Sequence, residues 1–484
     1  MMDAIRKMKI ELKNNLINNP HIVSRVSYLL YFVCALEFIS IRLEMFDKIL
    51  VSLLSVHLLL VYIYTGILLI IKYGILTIQS LLFISVGVFN YSRVFLTLID
   101  YRFPFYSIRS LVNTDLSYSV QSKLIFIFLI FLTIYQHMVL SLDLRIGKKT
   151  LKDSVEFVTI GKYLMIGSLP FLIYRLIIEA AYVFNNGYVN IYLNGLQRSN
   201  YNLPVRLSFY VFSVGYYCLI SGLPKFREFN IFSMIYFLTV LLDTLKGSRG
   251  PLILFVLFYL WSCKNIYNKE IKAKVLVLLG TMLIVLSQII AIIRGDNNKV
   301  TSIIFMIMDF FYLQGQSIIV PSLYISYGSN IGYNKYPYIL SPIMYLFEVI
   351  KDPKLLTLGQ SIKLLETRFD LSHHLTHYLN SEYYLKGMSI GNNFLAELYE
   401  FGILGVIGGT ILIVLFISFF NKNVLRNRVL LYLSFLFVTH YIYIPRTTFF
   451  INLYHLSRNI VAYTLIYALV LFLQLFKRKK KVDI

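Results

Sequence analysis

Long apolar stretches recur along almost the whole chain, and this recurrence constrains the fold more than any other feature of the sequence. A helix that crosses the hydrocarbon core of a bilayer needs roughly 20 apolar residues. In lipid a spanning segment must also satisfy its backbone hydrogen bonds internally, which leaves helices and closed barrels. These stretches are too long for barrel strands, so the sequence predicts an all-α, polytopic integral membrane protein.

The composition supports a membrane protein. Of 484 residues, 58% are hydrophobic and only 14% are charged, whereas a soluble domain carries about 25% charged residues. The formal net charge is +22. In so apolar a chain this excess points to membrane topology and anionic lipid head groups. Nucleic acid is not expected as a partner.

The number of spans depends on one region. The predicted transmembrane helices are 22–40, 49–71, 74–99, 121–142, 161–184, 204–222, 229–245, 250–263, 275–293, 400–419, 429–445 and 459–476, which makes 12. Residues 301–327 are apolar but interrupted by polar residues and Pro321. They either cross the membrane together with 336–350, giving 14 spans, or form a re-entrant or interfacial element.

Basic residues predict the orientation, because cytoplasmic segments carry an excess of Lys and Arg. With a cytoplasmic N-terminus, they fall in cytoplasmic segments near 6–13, 145–152, 264–274, 422–428 and 477–481. Both termini are therefore predicted to be cytoplasmic. Residues 328–395 are predicted to form one large extracytoplasmic loop within a single integral membrane domain, 1–484. The first apolar run lacks a small-residue cleavage site and is expected to stay as a helix.

Three arginines, Arg249, Arg294 and Arg446, stand beside glycine or proline where a predicted helix ends. Guanidinium groups contact phosphate with two parallel hydrogen bonds and stay charged at ordinary pH. Alternatively, arginines at helix ends reach out to lipid phosphates. The predicted topology places all three on the outer face, where basic residues are disfavoured. As a set they predict a site for a pyrophosphate at the membrane surface.

The predicted loop contains Arg368, His373, His374 and His377. His373 and His377 would share one face of a helix, so metal binding, general-base catalysis and a plain surface role all stay open. The order His-His-Leu-Thr-His lacks the carboxylate of a zinc-protease motif. No metal site is predicted. The sequence also has no phosphate-binding or dinucleotide-binding signature, so no cofactor is predicted.

Residues 390–405, Ile-Gly-Asn-Asn-Phe-Leu-Ala-Glu-Leu-Tyr-Glu-Phe-Gly-Ile-Leu-Gly, resemble the segment that closes the large external loop in bacterial O-antigen polymerases of the Wzy family. The segment 246–251 is similar to the Ser-Arg-Gly turn of those proteins, and 311–317 is a weaker match. The resemblance is best over residues 243–405. It implies a GT-C-like membrane fold.

The same resemblance implies the reaction and the partners. It implies metal-independent, inverting transfer between undecaprenyl-pyrophosphate-linked oligosaccharides, which serve as donor and acceptor. The product would be an O-antigen, enterobacterial common antigen or capsule type of polysaccharide, made at the outer face of the bacterial cytoplasmic (inner) membrane. Besides membrane lipids, a chain-length regulator protein is an expected partner.

The predicted roles fall into two groups. The candidate catalytic residues are Arg249, Arg294, His373, His374 and Glu397. The candidate substrate-binding residues are Arg446, Gln314, Arg368, Asn392, Asn393 and Tyr399. Glu397 is expected to orient an arginine or an acceptor hydroxyl; alternatively, it is a carboxylate favoured by the dipole at a helix N-terminus.

Three other functions are weighed against polymerisation. O-antigen ligases are similar in this region but carry a His-Asn pair, and here Asn392 occupies the histidine position. This difference favours a polymerase and removes the obvious general base. A lipid-linked oligosaccharide flippase would show two similar halves with short loops, which this chain does not show. A structural scaffold leaves the outer arginines unexplained.

Overall fold

Helices make up most of the chain in the computed structural model, which describes residues 20–102, 104–107, 115–186, 201–246, 250–293, 303–331, 336–356, 358–368 and 370–482. Within these ranges the β-structure is one isolated bridge between Ser107 and Asp115. The predicted all-α class is therefore confirmed for the described residues.

In the first part of the chain, the described residues form nine helices. They are α1 (Pro20–Arg42), α2 (Lys48–Lys72), α3 (Ile78–Thr97), α4 (Tyr118–Ser141), α5 (Val155–Asn186), α6 (Leu203–Ser221), α7 (Phe226–Thr244), α8 (Gly250–Asn265) and α9 (Ala273–Ile293). In several of these helices, the side chain of the preceding residue caps the first turn. Asp47 accepts a hydrogen bond from the Leu50 amide at 2.7 Å, and Ser117 accepts one from the Val120 amide.

The second part mixes short and long helices. They are α10 (Ile303–Gln314), α11 (Ile319–Tyr327), α12 (Ser341–Lys351), α13 (Ile362–Thr367), α14 (Leu371–Leu379), α15 (Ser381–Leu385), α16 (Phe394–Tyr399), α17 (Gly402–Asn423), α18 (Arg428–Tyr432), α19 (Ser434–Tyr443) and α20 (Leu453–Val482). The region predicted as a large loop thus holds the four short helices α12 to α15.

Eight helical segments of the described residues are long and apolar enough to cross a membrane. They are α2, α3, α4, α5, α6, Ile304–Asn330, α17 and Leu453–Leu475. In α2, Ile49, Leu53, Val56 and Leu60 are exposed while the opposite face is buried. A helix that is apolar on every side belongs in lipid. A multi-pass membrane protein is confirmed, and the count of 12 or 14 spans stays a prediction.

Helices α5 and α6 pack with almost no space between their backbones. A Cβ atom added to Gly161 would lie 2.7 Å from the carbonyl oxygen of Gly215. Small residues permit such close approach between membrane helices. On α5, Arg175 and Glu179 form an ion pair at 2.8 Å, and Lys246 also contacts Glu179 at 2.5 Å.

The segment Ile304–Asn330 approaches the connection between α3 and α4 at two places. Asp309 accepts a hydrogen bond from Arg102 at 2.7 Å. Further along, Leu323 lies in one buried cluster with Leu116. The segment is long enough to cross a membrane, yet both places lie beside the same connection.

Four helices are interrupted near one another. A π turn, Gly87–Tyr91, breaks α3, and a 3₁₀ turn, Gly315–Ile318, separates α10 from α11. Helix α19 ends in the 3₁₀ turn Ile444–Arg446, and α16 ends just before α17 begins. Non-helical backbone inside a membrane protein is tolerated where it is buried in protein or lines a cavity. These breaks therefore mark the region to search for a site.

Candidate functional site

A cavity of about 650 Å³ lies among α3, α8, α9, α10 and the turn that follows α19. Its walls are aliphatic and include Leu81, Ile84, Val88, Leu257 and Leu279. The polar side chains that line it come mainly from two places, the end of α10 and the turn after α19. The volume falls within the range of about 300–1,000 Å³ that is usual for small-molecule sites.

The cavity runs along the helices rather than across them. Leu76, just before α3, lines one end together with Leu260 of α8. Phe89 of α3 and Gly250, the first residue of α8, line the other end. Leu76 and Phe89 are 13 positions apart (89 − 76), which corresponds to roughly 20 Å at the helical rise. The cavity thus extends over a large part of the thickness of a bilayer's hydrocarbon core.

Arg446 supplies a positive charge at the end of the cavity where the surrounding helices are interrupted. Its guanidinium donates a hydrogen bond to the Gln314 side-chain oxygen at 3.2 Å. It also lies over the rings of Phe89 at 5.4 Å and Tyr443 at 5.9 Å. No carboxylate of the described residues forms an ion pair with it. A guanidinium has five N–H donors, so several of them can serve an anionic ligand.

Asn393 joins three of the helix breaks. Its side chain is fully buried, and its Nδ2 lies 2.8 Å from Asn90 Oδ1, 3.1 Å from the Ser317 carbonyl and 3.0 Å from the Pro445 carbonyl. Breaks in helices leave carbonyl groups without helical partners, and one amide satisfies two of them here. Asn393 therefore sets the position of the turn that carries Arg446.

Glu397 holds the same turn from its other side. It is fully buried, and its carboxylate accepts hydrogen bonds from Asn392 Nδ2 at 2.8 Å and from the Phe449 amide at 2.7 Å. No cation of the described residues pairs with it. Burial raises the pKa of Glu397 well above its ordinary value. The carboxylate contacts the backbone of the turn and not the guanidinium of Arg446, so it acts on that arginine indirectly.

Close packing brings α3 against the turn between α10 and α11. A Cβ atom at Gly315 would lie 2.5 Å from the Ser92 hydroxyl. Next to it, Arg93 is buried, donates a hydrogen bond to the Tyr312 carbonyl at 3.0 Å and lies over the Tyr312 ring at 4.2 Å. The sequence marks Arg93 as a charge in an apolar run. Its partner Tyr312 lies 219 positions away, and no spacing rule links the two.

The loop histidines occupy a separate cluster. His374 Nδ1 lies 3.1 Å from the Tyr338 hydroxyl, and its Nε2 lies 2.8 Å from the Leu365 carbonyl. His373 Nδ1 lies 3.2 Å from the Tyr384 hydroxyl. Both histidines are buried, and burial lowers the pKa of His373 to about 4. Hydrogen-bonded, neutral imidazoles inside a fold are typical of structural histidines.

Arg368 belongs to the loop cluster as well. It donates a hydrogen bond to Asp370 at 3.2 Å and lies over the Tyr345 ring at 5.0 Å. Asp370 also accepts hydrogen bonds from the Ser372 amide and hydroxyl at 2.9 and 2.7 Å. Tyr399 is half-buried against the main core and does not line the cavity.

The structure thus brings only some of the predicted site residues together at the cavity. Arg446 and Gln314 meet at the cavity, with Asn392, Asn393 and Glu397 directly behind them. Arg249 and Arg294 lie outside the described residues, although Gly250, which follows Arg249, lines the cavity. The sequence analysis did not assign Phe89, Asn90, Arg93 or Gln316 to the site. Of these, only Arg93 carries a clear signal in the sequence, its charge.

The fold and the site define a polytopic membrane protein with a long apolar cavity that ends at an arginine. The family model of the O-antigen polysaccharide polymerase Wzy matches residues 25–480, and the chain belongs to this family. The predicted resemblance is therefore confirmed. The family implies an activity of the polymerase or glycosyltransferase type on lipid-linked oligosaccharide repeat units in membranes. No curated protein and no solved structure matches the chain.

Proposed function

We propose that the chain polymerises undecaprenyl-pyrophosphate-linked oligosaccharide repeat units by metal-independent, inverting glycosyl transfer at the outer face of the bacterial inner membrane. One observation carries this proposal: the apolar cavity of about 650 Å³ ends at Arg446. A polyprenyl diphosphate has the same division, with an apolar tail and an anionic head. The tail would lie between α3, α8 and α9, and the diphosphate at Arg446.

The chemistry of the cavity suits this placement. The tail leaves lipid that is as apolar as the aliphatic walls, so the walls can accept its first isoprene units without a desolvation cost. Arg446 is held by uncharged groups only, so an incoming diphosphate does not have to displace a carboxylate. Arg249, next to the cavity-lining Gly250, and Arg294, just after α9, would complete the diphosphate site. Arg368 and Tyr399 are proposed to bind the glycan.

Arg446 would act on the leaving group. As the bond between the anomeric carbon and the diphosphate oxygen breaks, negative charge grows on the diphosphate, while an acceptor hydroxyl attacks from the opposite face. A preorganised cation stabilises such charge strongly in a site of low dielectric. Glu397 and Asn393 are positioning residues, because they hold the backbone of the turn around Arg446. His373 and His374 are assigned to the packing of the loop.

The proposal requires a particular topology. With both termini cytoplasmic, we propose that the segment Ile304–Asn330 enters and leaves on the outer side, because Asp309 and Leu323 both lie beside the connection between α3 and α4. Residues 328–395 are then extracytoplasmic, and Arg446 lies at the outer end of the cavity. The whole chain forms one membrane domain with 12 crossings and a GT-C-like architecture. A chain-length regulator would contact the external loop.

The test is reconstitution of the purified chain in vesicles with a lipid-linked repeat unit, followed by separation of the products by length. Arg446→Ala is expected to lower the rate of chain growth by about 10²–10³-fold, the usual cost of one charge-stabilising donor. Arg446→Lys should restore only part of that rate, because lysine cannot bind a diphosphate with two parallel bonds. Arg145→Ala removes an arginine whose side chain is 74% exposed and serves as control.

Full-length ladders from Arg446→Ala, at equal amounts of folded protein, would overturn the proposal. Transfer of glycan to a lipid A acceptor, without a ladder, would identify a ligase. In cells, loss of a polymerase leaves single capped repeat units, whereas loss of a flippase stops glycan display altogether.

A further inference from the structure

Three side chains of different chemistry converge between α1 and α2. Cys34 and Glu37 lie one turn apart on α1 and so share a face, and His57 on α2 lies opposite them. One ligand atom from each of the three lies within 4.8 Å of the others. His57 Nδ1 is 2.9 Å from one Glu37 oxygen and 3.0 Å from the other. Thiol, carboxylate and imidazole thus meet at one point.

Two side chains of this cluster are buried, and one of their polar atoms is left without a partner. Glu37 is 8% exposed and His57 is 7% exposed. His57 Nε2 is buried and has no hydrogen-bond partner among the described residues. The Cys34 sulfur has one weak contact, with the Thr133 hydroxyl at 3.7 Å. A buried polar atom without a partner costs free energy, and ionisable groups within a membrane usually pair or bind a ligand.

An interhelical ion pair explains only part of the arrangement. Elsewhere on the same helix, Tyr31 contacts His137 of α4, and Ser27 contacts Gln136, through ordinary hydrogen bonds. Each of those contacts ties α1 to α4 through one pair of side chains. The contact between Glu37 and His57 would tie α1 to α2 in the same way without a thiol. The third ligand, Cys34, is the feature that a simple pair leaves unexplained.

We propose that Cys34, Glu37 and His57 bind one divalent transition metal ion of the zinc type. Thiolate sulfur, imidazole nitrogen and carboxylate oxygen are the donors that zinc takes in proteins, in tetrahedral geometry. The fourth position would hold water or the Thr133 hydroxyl. Binding releases the protons that the ligand atoms carry in the free site, because metal ligands must be deprotonated. The ion clamps α1 to α2.

This metal site is independent of the proposed glycosyl transfer. None of its three ligands lines the cavity or contacts the turn that carries Arg446. The ion is structural, so a metal-independent reaction and a bound metal are compatible. Failure of one proposal leaves the other standing.

Cobalt(II) tests the site directly, since a cobalt–thiolate bond gives a charge-transfer absorption in the near ultraviolet. The full chain in detergent, first treated with chelator, should take up one Co²⁺ per chain with this absorption, and Zn²⁺ should displace it. Cys34→Ser should abolish the absorption, and Zn²⁺ should no longer raise the thermal midpoint of that variant. Glu37→Gln should weaken Co²⁺ binding at least about tenfold.

Cys263→Ser is the matched control, because Cys263 is a buried thiol on α8 outside the cluster. It should keep the absorption. Absence of the absorption in the unaltered chain, or its survival in Cys34→Ser, would overturn the metal site. Polymerisation that stops with chelator in the unaltered chain and in Cys34→Ser alike would instead contradict the metal-independent reaction.

Discussion

Two clusters of the molecule use the same kinds of side chain for different purposes. In the loop cluster, Arg368 is paired with Asp370, and both ring nitrogens of His374 have partners. At the cavity, the partners of Arg446 among the described residues are an amide oxygen and two ring faces, and it lines open space. A charge already compensated within the protein supports structure, whereas an uncompensated charge beside a cavity is available to a ligand.

The buried carboxylates show the same contrast. Burial raises the pKa of Asp370, but Arg368, His373 and the Ser372 hydrogen bonds outweigh this effect and hold its pKa below the ordinary value. In the part of the chain that the structure describes, no such cation pairs with Glu397, and burial raises its pKa. The loop carboxylate is therefore a satisfied ion-pair partner. The carboxylate behind the cavity is an acceptor that holds backbone in place.

Among variants that leave Arg446 in place, Glu397→Gln gives the largest expected effect. The new amide nitrogen would face the N–H donor of either Asn392 or Phe449, so one hydrogen bond is lost and the turn around Arg446 shifts. Misplacement by about 1 Å can cost 10²-fold in rate, and we expect about that loss of chain growth per folded molecule. Glu400→Gln is the control, since Glu400 accepts a hydrogen bond from the loop amide of Tyr338 at 2.6 Å. Equal rates for the two variants would contradict the positioning role of Glu397.

Asp370→Asn should lower stability but leave the rate of chain growth nearly unchanged, in contrast to Glu397→Gln. It removes the negative partner of Arg368, whose side chain is 32% exposed, so solvent screens part of the loss. We expect the free energy of unfolding in detergent to fall by about 1–3 kcal/mol, while chain growth per folded molecule stays within about twofold. A loss of turnover without a loss of stability would place the loop cluster in the reaction.

Acid should weaken the loop cluster through His373. Its pKa is lowered to about 4 in the fold, against about 6.5 in the unfolded chain. The unfolded chain therefore takes up a proton first as the pH falls, and stability is lost progressively between pH 6.5 and 4. By pH 5 the loss should be about 1–2 kcal/mol. His373→Gln should flatten this part of the stability profile, and an unchanged profile would show that His373 is not buried and neutral.

Tyr338→Phe should produce the smallest effect. It removes the hydroxyl that contacts His374 Nδ1 at 3.1 Å and leaves the aromatic packing. The expected loss of stability is about 1 kcal/mol, measured by thermal unfolding, with no change in product length. A change in product length would link this tyrosine to the acceptor.

Parts of the site could be predicted because their signals are local. The apolar runs mark the membrane helices, and Arg446 stands out as a cation beside proline at a helix end. Asn392, Asn393 and Glu397 were named through the resemblance of one contiguous segment. The pairing of Arg446 with Gln314 was not predictable, since the two lie 132 positions apart. Nor was the burial of His373 and His374, which depends on tyrosines from other helices.

The sequence by itself determined the class of this protein, because transfer of apolar side chains into lipid is a local and additive property that a run of residues reveals. It also determined the family, through the residues around Asn392 and Glu397. Only the tertiary structure decided which polar groups meet. Asn393 and Asn90 are 303 positions apart, and they touch because four interrupted helices pack together and leave free carbonyl groups at one place. Such contacts depend on the packing of the whole bundle, which no short stretch of sequence encodes.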